Sequence, residues 1–454
     1  MNPEIEQKPI RAEILDSALF TLGPVFGPMI IQVLLDLDPS PSRGQLVSAL
    51  KRLMAQVPLL GSQIRSGFWR DQWVAMKNLE FESLVEMVEL ERENSGKTFE
   101  ELSFPAFAKR AADKIDPSTE APIRLILFRQ GSRGLLVMRV HHSVADGNGC
   151  LQLAMLLGEN LNLPPDSPLP EPLDNQRGFF QLLSAFRGKA IFLIIMETIK
   201  EMLRPLSLPW FKPLREQETE SNGPARGLLA RLEIKGAEYQ DLQSLAHHLG
   251  LTINDLLLTA LCRLEKEFYD QRSEPSRYLA VAFTVNLRKF LKDEAIQITN
   301  LSGISSLVVK TEKIKGFNNT AGLVRDTAGE LKRKYPGLGF MMAPLAVFGA
   351  FPIAIIKIAA QRYFKYLKLL QARGVILTNI GIMDPYLEPF GNRVKKASVI
   401  GPFVEGPFPV FTATGQGPSL TIYLTQLTRN PASENLCGLM AERLKYCLLE
   451  WPKE

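Results

Sequence analysis

Residues 121–142 read APIRLILFRQGSRGLLVMRVHH, and no other stretch constrains the fold as much. Two apolar runs flank a tight Gln-Gly-Ser-Arg-Gly turn, the pattern of two adjacent strands. The second run is almost wholly apolar, so it must be covered on both faces, which requires a layered α/β lobe. The residues before it can supply the cover. IIQVLLDLD (30–38) reads as a strand, and SRGQLVSALKRLMAQVP (42–58) as a helix with apolar residues three and four apart. A further helix begins near Asn148. LPPDSPLPEPLD (163–174) then carries five prolines and reads as an exposed, extended connector that closes the lobe.

A second lobe begins near Gly227. GLLARLEIKGAEYQDLQSLAHHLGLTINDLLLTALCRLEKEF predicts a strand, a helix and a more apolar helix capped at Thr252 or Asn254. Strands follow at 278–287, 303–312, 374–381 and 419–427, with a last helix over 434–450. No short-period repeat is present, which sets aside solenoids and propellers. The expected organisation is an N-terminal lobe over 1–175, a helical and extended connector over 176–226 and a C-terminal lobe over 227–454.

The composition of the 454 residues, 46% hydrophobic and 22% charged, excludes a disordered or fibrous chain. Lysine and arginine exceed aspartate and glutamate by 53 to 48 with no basic block, so a nucleic-acid partner is not expected and anionic ligands are mildly favoured. Cys150, Cys262, Cys437 and Cys447 have no zinc spacing and read as buried thiols in a reducing compartment, with no metal site. MNPEIEQKPIRAE lacks an apolar signal core, so a cytoplasmic location is expected.

The chemistry concentrates where the apolar strand ends. His141 and His142 stand at its C-terminal end, followed by Asp146, Gly147 and Gly149, in a position where α/β lobes commonly hold ligands. A histidine there, with an ordinary pKa of about 6.5, can take a proton from an alcohol or amine and return it to a leaving group. The alternative is that the pair merely caps a core strand. His247 and His248 lie on an amphipathic helix and are expected to face solvent. No nucleophile elbow, phosphate-binding loop or dinucleotide fingerprint occurs.

His-His-Ser-Val-Ala-Asp-Gly matches the HHxxxDG motif, and the chain resembles the CoA-dependent acyltransferase and condensation-domain superfamily. PSRGQLVSALKRLMAQVPLLGSQIR is similar to its first helix and following strand, LGLTINDLLLTALCRL to its second-lobe helix, FTVNLRKF to a strand ending in Asn-x-Arg, and VILTNIGIMD to a tunnel strand. The resemblance implies two chloramphenicol-acetyltransferase-like lobes forming a pseudo-dimer around an active-site tunnel. No adenylation or carrier segment accompanies them, and the DFGWG motif of plant acyltransferases is missing. A stand-alone alcohol acyltransferase or polyketide-associated branch is therefore the expected type.

The resemblance further implies that His142 is the general base and that His141 orients the loop. Asp146 would be structural and paired with Arg288, and Gly147 would bring its amide to the reaction centre. Asn379 is a candidate tunnel and oxyanion residue, or a strand-end turn residue. No cofactor would be bound. The donor would be an acyl-CoA or an acyl carrier protein's phosphopantetheine thioester, the acceptor a hydroxyl-bearing and lipophilic molecule, and the protein a monomer. The alternatives are a catalytically silent acyl-carrier or lipid-binding member of the fold and a stand-alone amide-forming condensation enzyme.

PGLGFMMAPLAVFGAFPIAII (336–356) is as long as a membrane span, but its prolines and glycines argue against a single transmembrane helix. It reads either as a buried helix pair or as a broken apolar hairpin on an anionic membrane surface. In the second case it would be flanked by Lys332, Arg333, Lys334, Lys357, Arg362 and Lys365 and aided by AIFLIIMETIKEML (190–203), giving peripheral membrane contact.

Overall fold

The computed structural model describes residues 9–90, 96–174, 182, 184, 186–203, 224–271, 277–291, 297–333, 336–339, 351–369, 374–406, 408–430 and 434–454. Two mixed sheets carry the two lobes. The first has the order Val394–Ile400, Ile30–Leu37, Arg133–His141, Ile123–Gln130, Val85–Glu89. All its pairings are antiparallel except the last. The second has six strands: Ser302–Lys310, Tyr278–Asn286, Ile376–Ile382, Val410–Gln416, Ser419–Thr428 and Arg226–Lys235. A small third sheet joins Ile10–Arg11, Gln72–Ala75 and Ser62–Arg65.

Ile30–Leu37 is buried along all eight residues because it sits between two strands and under the helices Arg43–Gln56 and Gly147–Leu161. Its polar members are each answered: Gln32 Nε2 donates to the Ala111 carbonyl, and Asp36 accepts two bonds from Arg133. Ser42 and Gln45 close a capping box at the start of Arg43–Gln56. In the second lobe Thr252, not Asn254, caps Ile253–Gln271, exchanging bonds with Asp255. The pair Ala237–Leu249 and Ile253–Gln271 is bent by 96° and lays its apolar residues on the second sheet. No single helix among the described residues is long and apolar enough to cross a membrane.

The lobes are interleaved. Val394–Ile400 comes from the C-terminal part of the chain and hydrogen-bonds along Ile30–Leu37, with Val399 opposite Val33. Residues 163–174 form the exposed, irregular connector. Much of the 336–356 run, including residues 340–350, lies outside the described residues, as does Lys334. At its start Pro336 and Leu338 are buried, and Gly337, with φ +84°, packs on Gly303, so that end is core. Lys357 does not face outward, because the buried Asp71 carboxylate holds its ammonium at 2.7 Å.

Glu265 in Ile253–Gln271 is fully buried and, among the described residues, accepts only a 3.5 Å bond from the Ala280 amide at one oxygen, with no partner at Oε2. Burial pushes its carboxyl up to about 8 from 4.5, so the folded chain keeps it neutral while the unfolded chain ionises. The resulting loss of stability is absent below pH 4.5 and grows until pH about 8. Glu265→Gln is expected to abolish that slope and to gain on the order of 3 kcal/mol at pH 8. Denaturant midpoints at pH 5 and pH 8 measure it, and an unchanged slope would contradict the account.

Candidate active site

The strand Arg133–His141 ends in the first sheet, and the chain turns at once into the helix Gly147–Leu161. The turn is tightly held: His142 N–H donates to Met29 O at 2.7 Å and Val144 N–H to His141 O at 2.9 Å. Asp146 caps the helix, its Oδ1 accepting from Gly149 N–H at 2.9 Å. Gly149 has no room for a side chain, since a Cβ would stand 2.8 Å from the Ala145 Cβ and 3.2 Å from the Thr299 carbonyl.

The second lobe reaches this turn through residues 297–302. Asp146 Oδ2 accepts from Arg288 Nη1 at 2.9 Å, Leu301 N–H at 2.8 Å and Ser302 Oγ–H at 2.8 Å. Arg288 spends Nη2 on the carbonyls of Gln297 and Thr299, at 2.9 and 2.8 Å. Burial pushes the Asp146 carboxyl up, but the Arg288 guanidinium, with the Gly149 amide and the Ser302 hydroxyl, outweighs it and holds the pKa below the ordinary aspartate value. A carboxylate with both oxygens so occupied is a structural pin between lobes.

The two histidines are set differently. His141 is buried, and its Nδ1 accepts from Ser143 N–H at 3.2 Å and lies 2.7 Å from Ser143 Oγ. Burial, then the neighbouring His142, pushes it down to about 3, so it stays neutral. His142 is the only residue of 141–147 that keeps surface exposure. Its Nδ1 lies 3.0 Å from Asn300 Oδ1, and Asn300 Nδ2 turns to the Ser143 carbonyl at 3.4 Å. That amide orientation makes His142 Nδ1–H the donor and leaves Nε2 as the basic nitrogen. Burial lowers the His142 pKa; its own backbone bond, the Asp146 charge and Asn300 oppose the shift without cancelling it. The imidazole is therefore neutral at pH 7.

Asn379 lies at a bulge in Ile376–Ile382. Its Oδ1 accepts from Gly381 N–H at 3.1 Å and its Nδ2 donates to Asn254 Oδ1 at 3.3 Å, while Gly381 takes φ +90°. The amide thus braces its own bulge and Asn254 with its oxygen and one of its two N–H groups, and the bulge residue that reaches the motif is Ile380, whose Cδ1 a Cβ on Gly147 would overlap. His247 and His248 are exposed at the end of Ala237–Leu249. Cys150 adjoins the site but is fully buried, and burial, then Asp146, raises its pKa well above the ordinary thiol value, so it is no thiolate nucleophile. Among the described residues no cluster of three or more His, Cys, Asp or Glu could hold a metal ion. Asn300, Ser302 and the backbone of Thr299 and Leu301 escaped the sequence reading; ITNLSG looks like any polar break before a strand.

Two mixed sheets, the first completed by a strand from the C-terminal part of the chain, and a histidine turn pinned by residues of the second lobe define a two-lobed α/β fold. No protein-family model and no curated protein matches the sequence. Solved structures do. The chain is similar to polyketide synthase associated protein 5 from Mycobacterium tuberculosis, with a TM-score of 0.62 and 15% identity over 98% of this chain and 99% of that one. It is similar to the first condensation domain of the calcium-dependent antibiotic synthetase, with a TM-score of 0.66 and 14% identity over 99% and 97%. It is also similar to a wax ester synthase/diacylglycerol acyltransferase from Marinobacter aquaeolei VT8, with a TM-score of 0.58 and 16% identity over 96% and 98%. These neighbours belong to the superfamily that the HHxxxDG resemblance named, and the chain has their fold.

Proposed function

We propose that the protein is an acyltransferase that moves an acyl group from a CoA or carrier-protein thioester to the hydroxyl of a lipophilic acceptor, with His142 as the base. The observation that carries this reading is the neutral, partly exposed His142, with Nδ1–H held by Asn300 of the second lobe and Nε2 left basic. Nε2 takes the acceptor proton as the oxygen attacks the thioester carbonyl. When the tetrahedral intermediate collapses, the C–S bond breaks and the imidazolium returns the proton to the departing thiolate. Asp146 supplies no proton, because four donors already occupy its oxygens. The developing oxyanion is assigned to backbone N–H groups at the start of Gly147–Leu161, where the helix dipole favours negative charge. Asn379 uses one of its two Nδ2 hydrogens on Asn254, which leaves the second as a further candidate donor.

The test offers several acyl-CoAs and an acyl carrier protein to a panel of alcohols and amines, with thiol release and product mass as readouts. Acceptor-dependent thiol release with an ester product supports the reading. An amide product, or thioester binding without turnover, supports the condensation or silent alternative.

Asn300 is a positioning residue whose bond raises the His142 pKa. Asn300→Ala is expected to lower kcat/KM by about 10–100-fold and to move the acid limb of the pH profile further down. Asn300→Asp, with a carboxylate facing Nδ1–H, should move the limb up. A rate loss without either shift would mean that Asn300 only packs the lobes together.

A further inference from the structure

The turn at 66–70 carries two aromatic side chains that the core does not need. Phe68 is 58% exposed and Trp69 65% exposed, edge to face at 5.7 Å. The turn is built to hold them out. The buried Asp71 carboxylate accepts from Gly67 N–H at 3.2 Å and from Lys357 Nζ at 2.7 Å. The carbonyls of Phe68 and Trp69 accept from the Ala354 and Ile353 amides at 3.1 and 3.4 Å. The turn is so close that a Cβ on Gly67 would overlap the Arg70 carbonyl. These bonds fix the backbone that carries both aromatics at the surface.

The helix Ile353–Leu369, bonded to this turn, continues the same surface. Ile353 and Ile356 face the core, while Phe351, Ile355 and Ile358 are 57%, 55% and 56% exposed. Arg362 and Lys365 follow Ile355 and Ile358 at helical spacing and are exposed, as is Arg65 ahead of the turn. The helix contains no acidic residue. A second helix, Lys189–Leu203, packs Ile194 into the same core cluster as Ile353 and Ile356. It exposes Ile191, Phe192, Ile195, Met196 and Ile199 after the exposed Arg187 and Lys189.

We propose that the 66–70 turn and the first turns of Ile353–Leu369 dock on an anionic lipid bilayer, with Lys189–Leu203 as a second contact. Tryptophan and phenylalanine suit the boundary between headgroups and acyl chains, and the basic rim complements anionic headgroups. A second copy of the chain would bring the same cations toward one another. This surface would admit a lipophilic substrate, but its docking is independent of any catalysis and is measured without substrate.

The experiment sediments the full chain with vesicles of phosphatidylcholine alone and of phosphatidylcholine mixed with phosphatidylglycerol, at low and high salt. Binding to the mixed vesicles at low salt, weakened by salt, is expected. Phe68→Ser with Trp69→Ser, both on the surface, should weaken it about tenfold or more with an unchanged melting temperature. Arg362→Ala with Lys365→Ala should weaken it about 10–30-fold at low salt. Failure to bind either vesicle overturns the proposal, as does binding that survives loss of both aromatics. A dimer in sedimentation equilibrium that the aromatic double variant disrupts, with no vesicle binding, would assign the surface to a second copy instead.

Discussion

His142→Ala is expected to lower turnover by about 10²–10⁴ while the fold stays intact. The side chain is partly exposed, so its removal opens no core cavity; what is lost is the basic Nε2 and the bond from Nδ1–H to Asn300. Because the net effect of the surroundings is to lower the His142 pKa, the base form persists below the ordinary 6.5, and the acid limb of kcat/KM for the native protein should fall below that value. Steady-state rates from pH 5 to 8 with a verified acceptor measure both effects. Native rates in His142→Ala would remove this residue from the chemistry.

The second large effect lies in the pin between the lobes. Asp146→Ala leaves the Arg288 guanidinium, 12% exposed, without its carboxylate, and Arg288→Ala leaves Asp146, 2% exposed, with a buried charge. Each is expected to cost about 3–5 kcal/mol. The double variant should cost less than the sum, since neither charge is then stranded. The sign with pH follows from the lowered Asp146 pKa. The pin's contribution is present above the ordinary aspartate value of 3.8 and is lost as acid protonates the folded carboxylate below it. Asp146→Ala should therefore flatten the acid end of the stability profile. Melts of Asp146→Ala that match the native protein, with activity alone abolished, would make Asp146 a chemical participant.

Residues 121–142 and 226–271 stated their strands and helices plainly, because periodicity and capping are written in neighbouring residues. The HHxxxDG resemblance likewise named His142, Asp146 and Arg288 from their own letters. Val394–Ile400 was not legible: Lys395, Lys396 and Ser398 break its alternation, and it is a strand because Ile30–Leu37 offers it an edge. Val410–Gln416 is defined in the same way by strands on both sides.

The site divides along the same line. The sequence by itself determined which side chains make up the candidate site: an imidazole at a strand end, an aspartate at a helix cap, an arginine after a strand. Only the tertiary structure decided what each one does with its bonds. It turned Asn300 onto His142 from 158 residues away and gave Asp146 the Leu301 amide, a donor with no residue identity. It committed Asn379 to Asn254 and Gly381, and drew Lys357 inward to Asp71 while leaving Trp69 in solvent. Propensity and pattern act over a few residues and are readable in order. Tautomer, pKa and exposure depend on which distant atoms fill the last few ångströms, and packing alone brings those atoms there.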